Sequence, residues 1–475
     1  MKLKIRLIAI VAAGCLVITQ SAFAQSSDLI ELRKEVELLR QEIRELKSAR
    51  TENNAPSIAP NMTAKPTATL VSAQDAGGIK TEEKSKGVVT GGDLPGSFKL
   101  PDSNTSIRLY GFAELNWIHD WKATSPGDAF TFLAFQPLNG TAEAKVKDSR
   151  VVTARTSRIG FETSTPTSYG PLSVKVEGDF YRDRPNEFPG ATRFDQASLN
   201  SQIYRLRLAY GQVGGWRIGQ DWSTFMDVEN TPETVDFNGP IGYPFLRQPV
   251  IRYTYKLGEK NELEFAVEAS KSVVVQGTGF DAVPVGGNNE RLPDLIARWN
   301  HAAAWGAFTL RGVTHELRVN TGTSPKTNKQ GYGVGLGLSI KAPGNDLFVT
   351  QLTGGDGIGR YMYYLDGATL DAANNRILKE KAWGFMAGYT HNWSDNYRST
   401  VAVGHLKTVS SEYVNFQLGQ GNNPNKTLTQ AHINLFWTPV KNIDIGAEYI
   451  WGERKTFRDD KGELSRIDLL SRFGF

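Results

Sequence analysis

Leu464-Ser-Arg-Ile-Asp-Leu-Leu-Ser-Arg-Phe-Gly-Phe475 closes the chain, and its alternation decides the fold. Successive side chains of an extended strand point to opposite faces. Ile467, Leu469, Phe473 and Phe475 then share one face, and Arg466, Asp468 and Arg472 share the other. An apolar outer face, a charged inner face and a closing aromatic are expected of the last strand of a bacterial outer-membrane β-barrel.

Working back to Ser106, the chain shows roughly sixteen segments of this kind, an all-β antiparallel transmembrane barrel by length and pattern. Leu172, Val174, Val176 and Phe180 alternate with Lys175, Glu177 and Asp179. Leu263, Phe265, Val267 and Ala269 alternate with Glu262, Glu264 and Glu268. The connections alternate in length as well. Long ones (122–149, 182–201, 223–248, 271–291, 319–329, 355–381, 409–427, 454–463) take turns with short ones (166–170, 211–215, 258–261, 302–304, 342–345, 393–396, 438–441). Long outer loops and short periplasmic turns are the outer-membrane rule, and a soluble sandwich has no reason to follow it. All ten Trp fall in this region, many near predicted strand ends, as aromatic girdles require.

Composition agrees without deciding. The 475 residues are 40% hydrophobic and 22% charged, with a mean hydropathy of −0.36. A barrel hides its apolar residues at every second position, so a low average does not exclude it. Lys2, Lys4 and Arg6 precede the apolar run Leu7–Ile18, and Ala22-Phe23-Ala24 supplies a cleavage site. Residues 1–24 read as a signal peptide rather than an anchor. Without them the balance of 54 basic and 50 acidic residues falls to about +1, which gives no argument for nucleic acid. Cys15 lies in the apolar run, so the mature chain carries no thiol, as suits an oxidising periplasm. Ala12-Ala13-Gly14-Cys15 only faintly resembles a lipoprotein box, because the apolar run continues past the cysteine.

Residues 25–50 carry a second pattern. Leu29, Val36 and Ile43 occupy position a, and Leu32, Leu39 and Leu46 position d, of about three heptads. Glu35 and Glu42 at g meet Arg40 and Lys47 at e between parallel chains, and Asp28 with Glu31 can cap the helix. A parallel homo-oligomer is expected. One amphipathic helix packed on its own chain is the alternative. Residues 51–104, rich in Pro, Ala, Thr, Ser and Gly, form a flexible linker, and the barrel domain is placed at 105–475.

If apolar neighbours face lipid, Arg158, Arg205, Arg207, Arg217, Arg252, Arg298 and Arg311 face the lumen. A basic side chain facing lipid costs up to ~4 kcal/mol at mid-bilayer, so this placement is close to forced. Tyr204, Leu206, Leu208 and Tyr210 are then read as the lipid face of their strand. The long connection after the fifth strand carries Asp227, Glu229, Glu233 and Asp236. Folded inward, it would set acids against a basic wall across a narrow gap. Lumen arginines lower the barrier for small anions and bind carboxylates bidentately. The plainer reading is that they pair with Glu177, Asp179, Glu264 and Glu268 and brace the wall.

Four segments resemble the DcaP-like trimeric porins of Gram-negative bacteria: Ser157-Arg-Ile-Gly-Phe161, Tyr204-Arg-Leu-Arg-Leu-Ala-Tyr-Gly211, Trp216-Arg-Ile-Gly-Gln-Asp-Trp-Ser-Thr-Phe225 and Arg247-Gln-Pro-Val-Ile-Arg-Tyr-Thr254. The order of coiled coil, linker and barrel is similar too. The resemblance implies a sixteen-stranded barrel, a homotrimer in the outer-membrane bilayer, an infolded third loop and passive uptake of small, often dicarboxylic or aromatic, acids. Arg158, Arg205, Arg207, Arg217 and Arg252 match the family's wall segments. The chain departs at Asp221, whose carboxylate near Arg217 would neutralise part of the field.

Other signals are weaker. Gly331-Tyr-Gly-Val-Gly-Leu-Gly337 alternates strictly and reads as a strand with a bare lumen face, not as a phosphate loop. The six His show no metal-binding spacing, and Gly354, Gly355, Gly357 and Gly359 around Asp356 read as a flexible loop, with calcium binding the lesser alternative. No catalytic residue, metal or other cofactor is expected. A barrel-embedded hydrolase would need Ser, His and Asn or Asp converging on the barrel wall or mouth; His391 and Ser394 come nearest, in a short periplasmic turn that is a poor place to meet substrate. A general, non-selective porin with a mainly structural coiled coil, tethering the membrane to peptidoglycan or another periplasmic partner, is the remaining alternative.

Overall fold

The computed structural model describes residues 90–475, apart from 126, 182–202, 279–281, 286–289, 323–324 and 363–364. The segments expected to form a signal peptide, a coiled coil with its a and d residues, and a linker lie outside the described residues up to residue 89.

Alternating side chains require two environments, and the chain supplies them by closing an antiparallel sheet into a ring. Among the described residues sixteen strands form the wall: β1 (Ser106–Asp120), β2 in two pieces (Ser149–Thr153 and Arg158–Thr165), β3 (Leu172–Asp179), β4 (Arg205–Val213), β5 (Trp216–Trp222), β6 (Arg247–Lys256), β7 (Asn261–Glu268), β8 (Asp294–Ala303), β9 (Gly306–Asn320), β10 (Lys326–Lys341), β11 (Leu347–Asp356), β12 (Lys381–Asn392), β13 (Tyr397–Thr408), β14 (Asn425–Trp437), β15 (Ile443–Thr456) and β16 (Lys461–Gly474). Each pairs with its neighbours in sequence. β16 returns to β1, with Phe112 opposite Gly474 and Asp120 opposite Arg466. Closure leaves no unpaired edge in the membrane, the one arrangement by which a sheet satisfies its backbone in lipid.

Leu109, Ile159, Ile218, Ile251, Phe265, Val334, Val401 and Ile433 stand exposed on the outer face, where lipid is their solvent. Near the short turns the aromatics pair into a girdle: Trp216 with Tyr253 at 4.8 Å, Trp299 with Phe308 at 5.7 Å, and Tyr397 stacked on Trp437. Tight turns use residues that tolerate positive φ, namely Gly214 (56°), Asn345 (63°) and Asn442 (72°). The connection expected at 319–329 shrinks to 321–325, because β9 and β10 run for 15 and 16 residues.

Three long connections turn inward: L1 (121–148), L3 (223–246) and L6 (357–380). Leu133 and Ala134 of L1, Phe225 and Ile241 of L3, and Ile358, Tyr361 and Met362 of L6 share one core with wall residues including Val250, Ile296, Val313, Leu406 and Ile450. Here the inward wall positions are apolar, so "charged inside" fails over the part of the ring that the loops fill. The bare face of β10 lies under the same loops. A Cβ on Gly333 would meet Ile358 and Phe225, and one on Gly337 would meet Asp227 and Asn230. Outside the wall, short strands Val275–Gln276, Val283–Pro284, Ala368–Asp371 and Arg376–Lys379 form a second sheet, on which helix α1 (Glu412–Gly419) rests through Tyr413 and Val414 against Leu378.

Gly384 and Gly404 show how close L3 lies to β12 and β13. A Cβ on Gly404 would strike the Ile241 backbone, and one on Gly384 the Gly242 carbonyl at 2.5 Å. Gly404→Val is therefore expected to destabilise the barrel by about 1–3 kcal/mol through overpacking. The check is the temperature at which the folded band converts to the unfolded one in detergent gels.

Candidate functional site in the lumen

L3 is held around most of the ring, and the ties begin where it leaves β5. The Thr224 N–H donates to Glu268 at 2.7 Å. Asp227 accepts from Thr309 Oγ1 at 2.5 Å and from Asn230 at 2.8 Å, and pairs with Arg298 at 3.2 Å. Gln351 donates to the carbonyls of Asp227 and Asn230. Glu233 receives a two-pronged contact from Arg398, 2.7 Å on each side. Glu448 on β15 accepts the N–H groups of Val235 and Asp236, both at 3.0 Å. Asp236 in turn accepts from the N–H groups of Thr131 on L1 and Asn238. Burial, reinforced by Glu448, pushes its carboxyl up to about 6.

The four acids predicted for L3 therefore separate. Asp227 and Asp236 are buried anchors, 0% and 1% exposed. Glu233 is half-exposed and committed to Arg398. Glu229 is exposed and has no ion pair among the described residues.

The wall facing L3 is basic. On β4, Arg205 chelates Asp179 (2.9 and 2.8 Å), while Arg207 bridges Glu177 and Asp179, 2.8 Å from each. Arg158 on β2 reaches Glu177 only at 3.6 Å. Asp221 binds Arg217 at 2.7 Å and Arg252 at 3.5 Å, so this carboxylate lies between two guanidinium groups. Arg247, at the start of β6, lies 4.6 Å from the Trp222 ring. Its Nη1 is buried without a hydrogen-bond partner.

A bulge makes this spacing possible. Glu177 pairs with Leu208 and Gly178 with Leu206, leaving Arg207 as the extra residue. The phase of β4 reverses there. Leu208 and Tyr210, read from the alternation as lipid-facing, turn into the lumen and border its cavity with Gln212.

That cavity holds about 1280 Å³ on the periplasmic side of L3. Of the arginines predicted for the pore, Arg158, Arg207, Arg217, Arg252 and Arg298 border it; Arg205 and Arg311 do not. Arg205 is spent on Asp179 at the outer end of its strand. Arg311 lies buried beneath L3, donating to the Phe225 carbonyl at 3.0 Å and to Gln351 at 3.1 Å. Glu229, Glu233 and Asp236 reach the cavity, while Asp227 does not. Sequence reasoning did not single out Arg247, Phe237, Gln351 or Glu448. The inward phase of β15, with Asp444 and Glu448 on one face, was the available signal for the last.

The other singled-out residues have ordinary partners. His391 Nδ1 lies 2.7 Å from Asp346, its ring stands edge-on to Trp393, and Ser394 Oγ accepts from the Asn396 N–H. Asp356 pairs with Lys379 at 3.1 Å.

Comparison with known proteins fits this geometry. The model of the DcaP outer membrane protein family matches residues 71–475. The crystal structure of the outer membrane channel DcaP of Acinetobacter baumannii is similar at 26% identity with a TM-score of 0.67, covering 81% of this chain and 100% of that one. OmpT of Vibrio cholerae (11% identity, 79% of this chain and 99% of that one, TM-score 0.48) and an anion-selective porin from Comamonas acidovorans (10%, 78% and 100%, TM-score 0.49) are more distant. A search of curated proteins gave no match. A family match that starts at residue 71 and takes in every strand of the wall leaves one conclusion: the chain belongs to the DcaP outer membrane proteins, channels of the Gram-negative outer membrane.

Proposed function

We propose that this channel passes small hydrophilic solutes by passive diffusion and favours anionic ones, mono- and dicarboxylates among them. One observation carries the reading. Arg158, Arg205, Arg207, Arg217, Arg247 and Arg252 stand together on β2, β4, β5 and β6, against the carboxylates of Glu177, Asp179 and Asp221. The formal excess of positive charge attracts anions, and the low-dielectric wall focuses that field into the lumen.

Bilayer conductance in a salt gradient tests the reading. An anion-selective reversal potential is expected, and clear cation selectivity of the wild type would defeat it. Arg205→Ala combined with Arg207→Ala should move selectivity toward cations. Arg247→Gln is the cleaner variant, because no carboxylate is left stranded. Removing one charge from this wall should lower the anion-to-cation permeability ratio about twofold, as expected for ~0.5 kcal/mol at water-filled distances. Single-channel recording with a panel of mono- and dicarboxylates identifies the solute class by current block.

A second reading, a general pore with weak discrimination, draws support from the cavity below L3, where eight Arg and Lys side chains face seven carboxylates. A permeability ratio near unity would favour it.

The assembly proposed is a homotrimer, with the N-terminal heptads joining the protomers in the periplasm or tethering them to peptidoglycan. Deleting residues 26–50 should leave conductance intact. A trimer that survives the deletion would place its cohesion in the barrel wall.

A further inference from the structure

We propose that Phe237 of L3 is a specificity-determining residue of the pathway, covering the guanidinium faces of Arg158 and Arg207 and completing the constriction together with L1. Its ring centroid lies 4.9 Å from the Arg207 guanidinium carbon and 5.5 Å from that of Arg158. At those separations ring and cation are in contact, and no water fits between them. At this level Phe237 is the side chain that bridges L3 and the basic wall.

That side chain is fixed from behind. The Phe237 N–H donates to the Ala129 carbonyl of L1 at 3.1 Å, and the neighbouring Asp236 carboxylate accepts the Thr131 N–H. The ring also meets Phe130 of L1 at 4.8 Å, and Phe130 lies 3.8 Å from Tyr181 beyond β3. Arg155, joined to Asp128 of L1 at 2.8 Å, lies over the Tyr181 ring at 4.2 Å. L1 and L3 thus present one aromatic surface to the arginine wall, and Phe237 is the member that touches both Arg158 and Arg207.

Two consequences follow for a passing solute. Bulk at 237 sets the free width beside the wall. The ring also screens the faces of two cations from the lumen, whereas a carboxylate binds a guanidinium through its in-plane N–H edge. A smaller residue at 237 should both widen the passage and uncover positive charge.

The experiment uses the full chain in planar bilayers, with Phe237→Ala, Phe237→Leu and Phe237→Tyr. Phe237→Ala is expected to raise single-channel conductance at least about twofold and to shift the reversal potential further toward anions. Phe237→Leu should lie between, and Phe237→Tyr should match the wild type. Heat-modifiability in detergent gels confirms that each variant is folded. If Phe237→Ala fails to fold, the order of Phe237→Leu over wild type decides. Conductance unchanged in a folded Phe237→Ala or Phe237→Leu channel would overturn the proposal. The width arm stands even if the wild type proves non-selective, so its failure is distinct from failure of the anion-leaning reading.

Discussion

Arg466→Met should cause the largest loss of stability among single substitutions in the wall. Arg466 is 0% exposed. Its Nε and Nη2 hold the two oxygens of Asp120 at 2.7 and 2.9 Å, and Nη1 donates to the Asp128 carbonyl at 2.7 Å. Asp468 lies at 4.0 Å, and its Oδ1 has no hydrogen-bond partner. One guanidinium therefore joins β16, β1 and L1 and offsets the acids around it. Removing one partner of a buried ion pair costs about 3–5 kcal/mol, because the other is left charged and dry. The midpoint of urea unfolding in liposomes measures the loss. Arg466→Lys should recover only part, since an ammonium cannot hold both Asp120 oxygens and the carbonyl in one plane. Adding Asp120→Asn to Arg466→Met should restore stability. An unchanged midpoint in Arg466→Met would show that the cluster carries no structural load.

Glu448→Leu is the second large effect, and it is read in the current rather than in the fold. This carboxylate accepts the backbone N–H groups of Val235 and Asp236 at 3.0 Å and the Asn434 amide at 2.8 Å, with His432 Nδ1 at 3.0 Å. The two N–H bonds join that stretch of L3 directly to β15. Each N–H left buried without an acceptor costs about 1–3 kcal/mol, enough to release the segment around 233–238 from the wall. Since Phe237 lies within it, the released loop should give higher conductance, a noisier open state and faster protease cleavage within L3. Glu448→Gln keeps one acceptor oxygen and should show a smaller change. A quiet, wild-type trace from Glu448→Leu would mean that Arg398 and Asp227 hold the loop unaided.

Much of the ring was legible because lipid enforces it. Every second residue must be apolar outside, and the outer face of β16, with Leu469 and Phe473 exposed, obeys. Legibility stopped where that pressure stopped. Leu208 and Tyr210 broke phase at a bulge that no local residue announces, because the cause is a pairing between strands. Ile296, Val313 and Ile450 are apolar yet inward, since L1, L3 and L6 give them a dry core inside the barrel. Among the acids of L3, composition could not tell an anchor such as Asp227 from an exposed group such as Glu229. Their difference lies in which strands the loop crosses. The strict glycine alternation of β10 did mark the surface that receives those loops, because a Cβ there would collide with them.

The Arg466–Asp120 contact joins residues 346 apart in sequence. Bringing two such distant segments together carries a loop-closure entropy of about 5 kcal/mol, beyond the cost of any hairpin in the wall. Neighbouring strands can zip locally, but this clasp rewards nothing until both of its halves have arrived. Ring closure is the contact of highest closure cost in the wall: a sheet lacking β16 would leave unpaired backbone edges at β1 and β15.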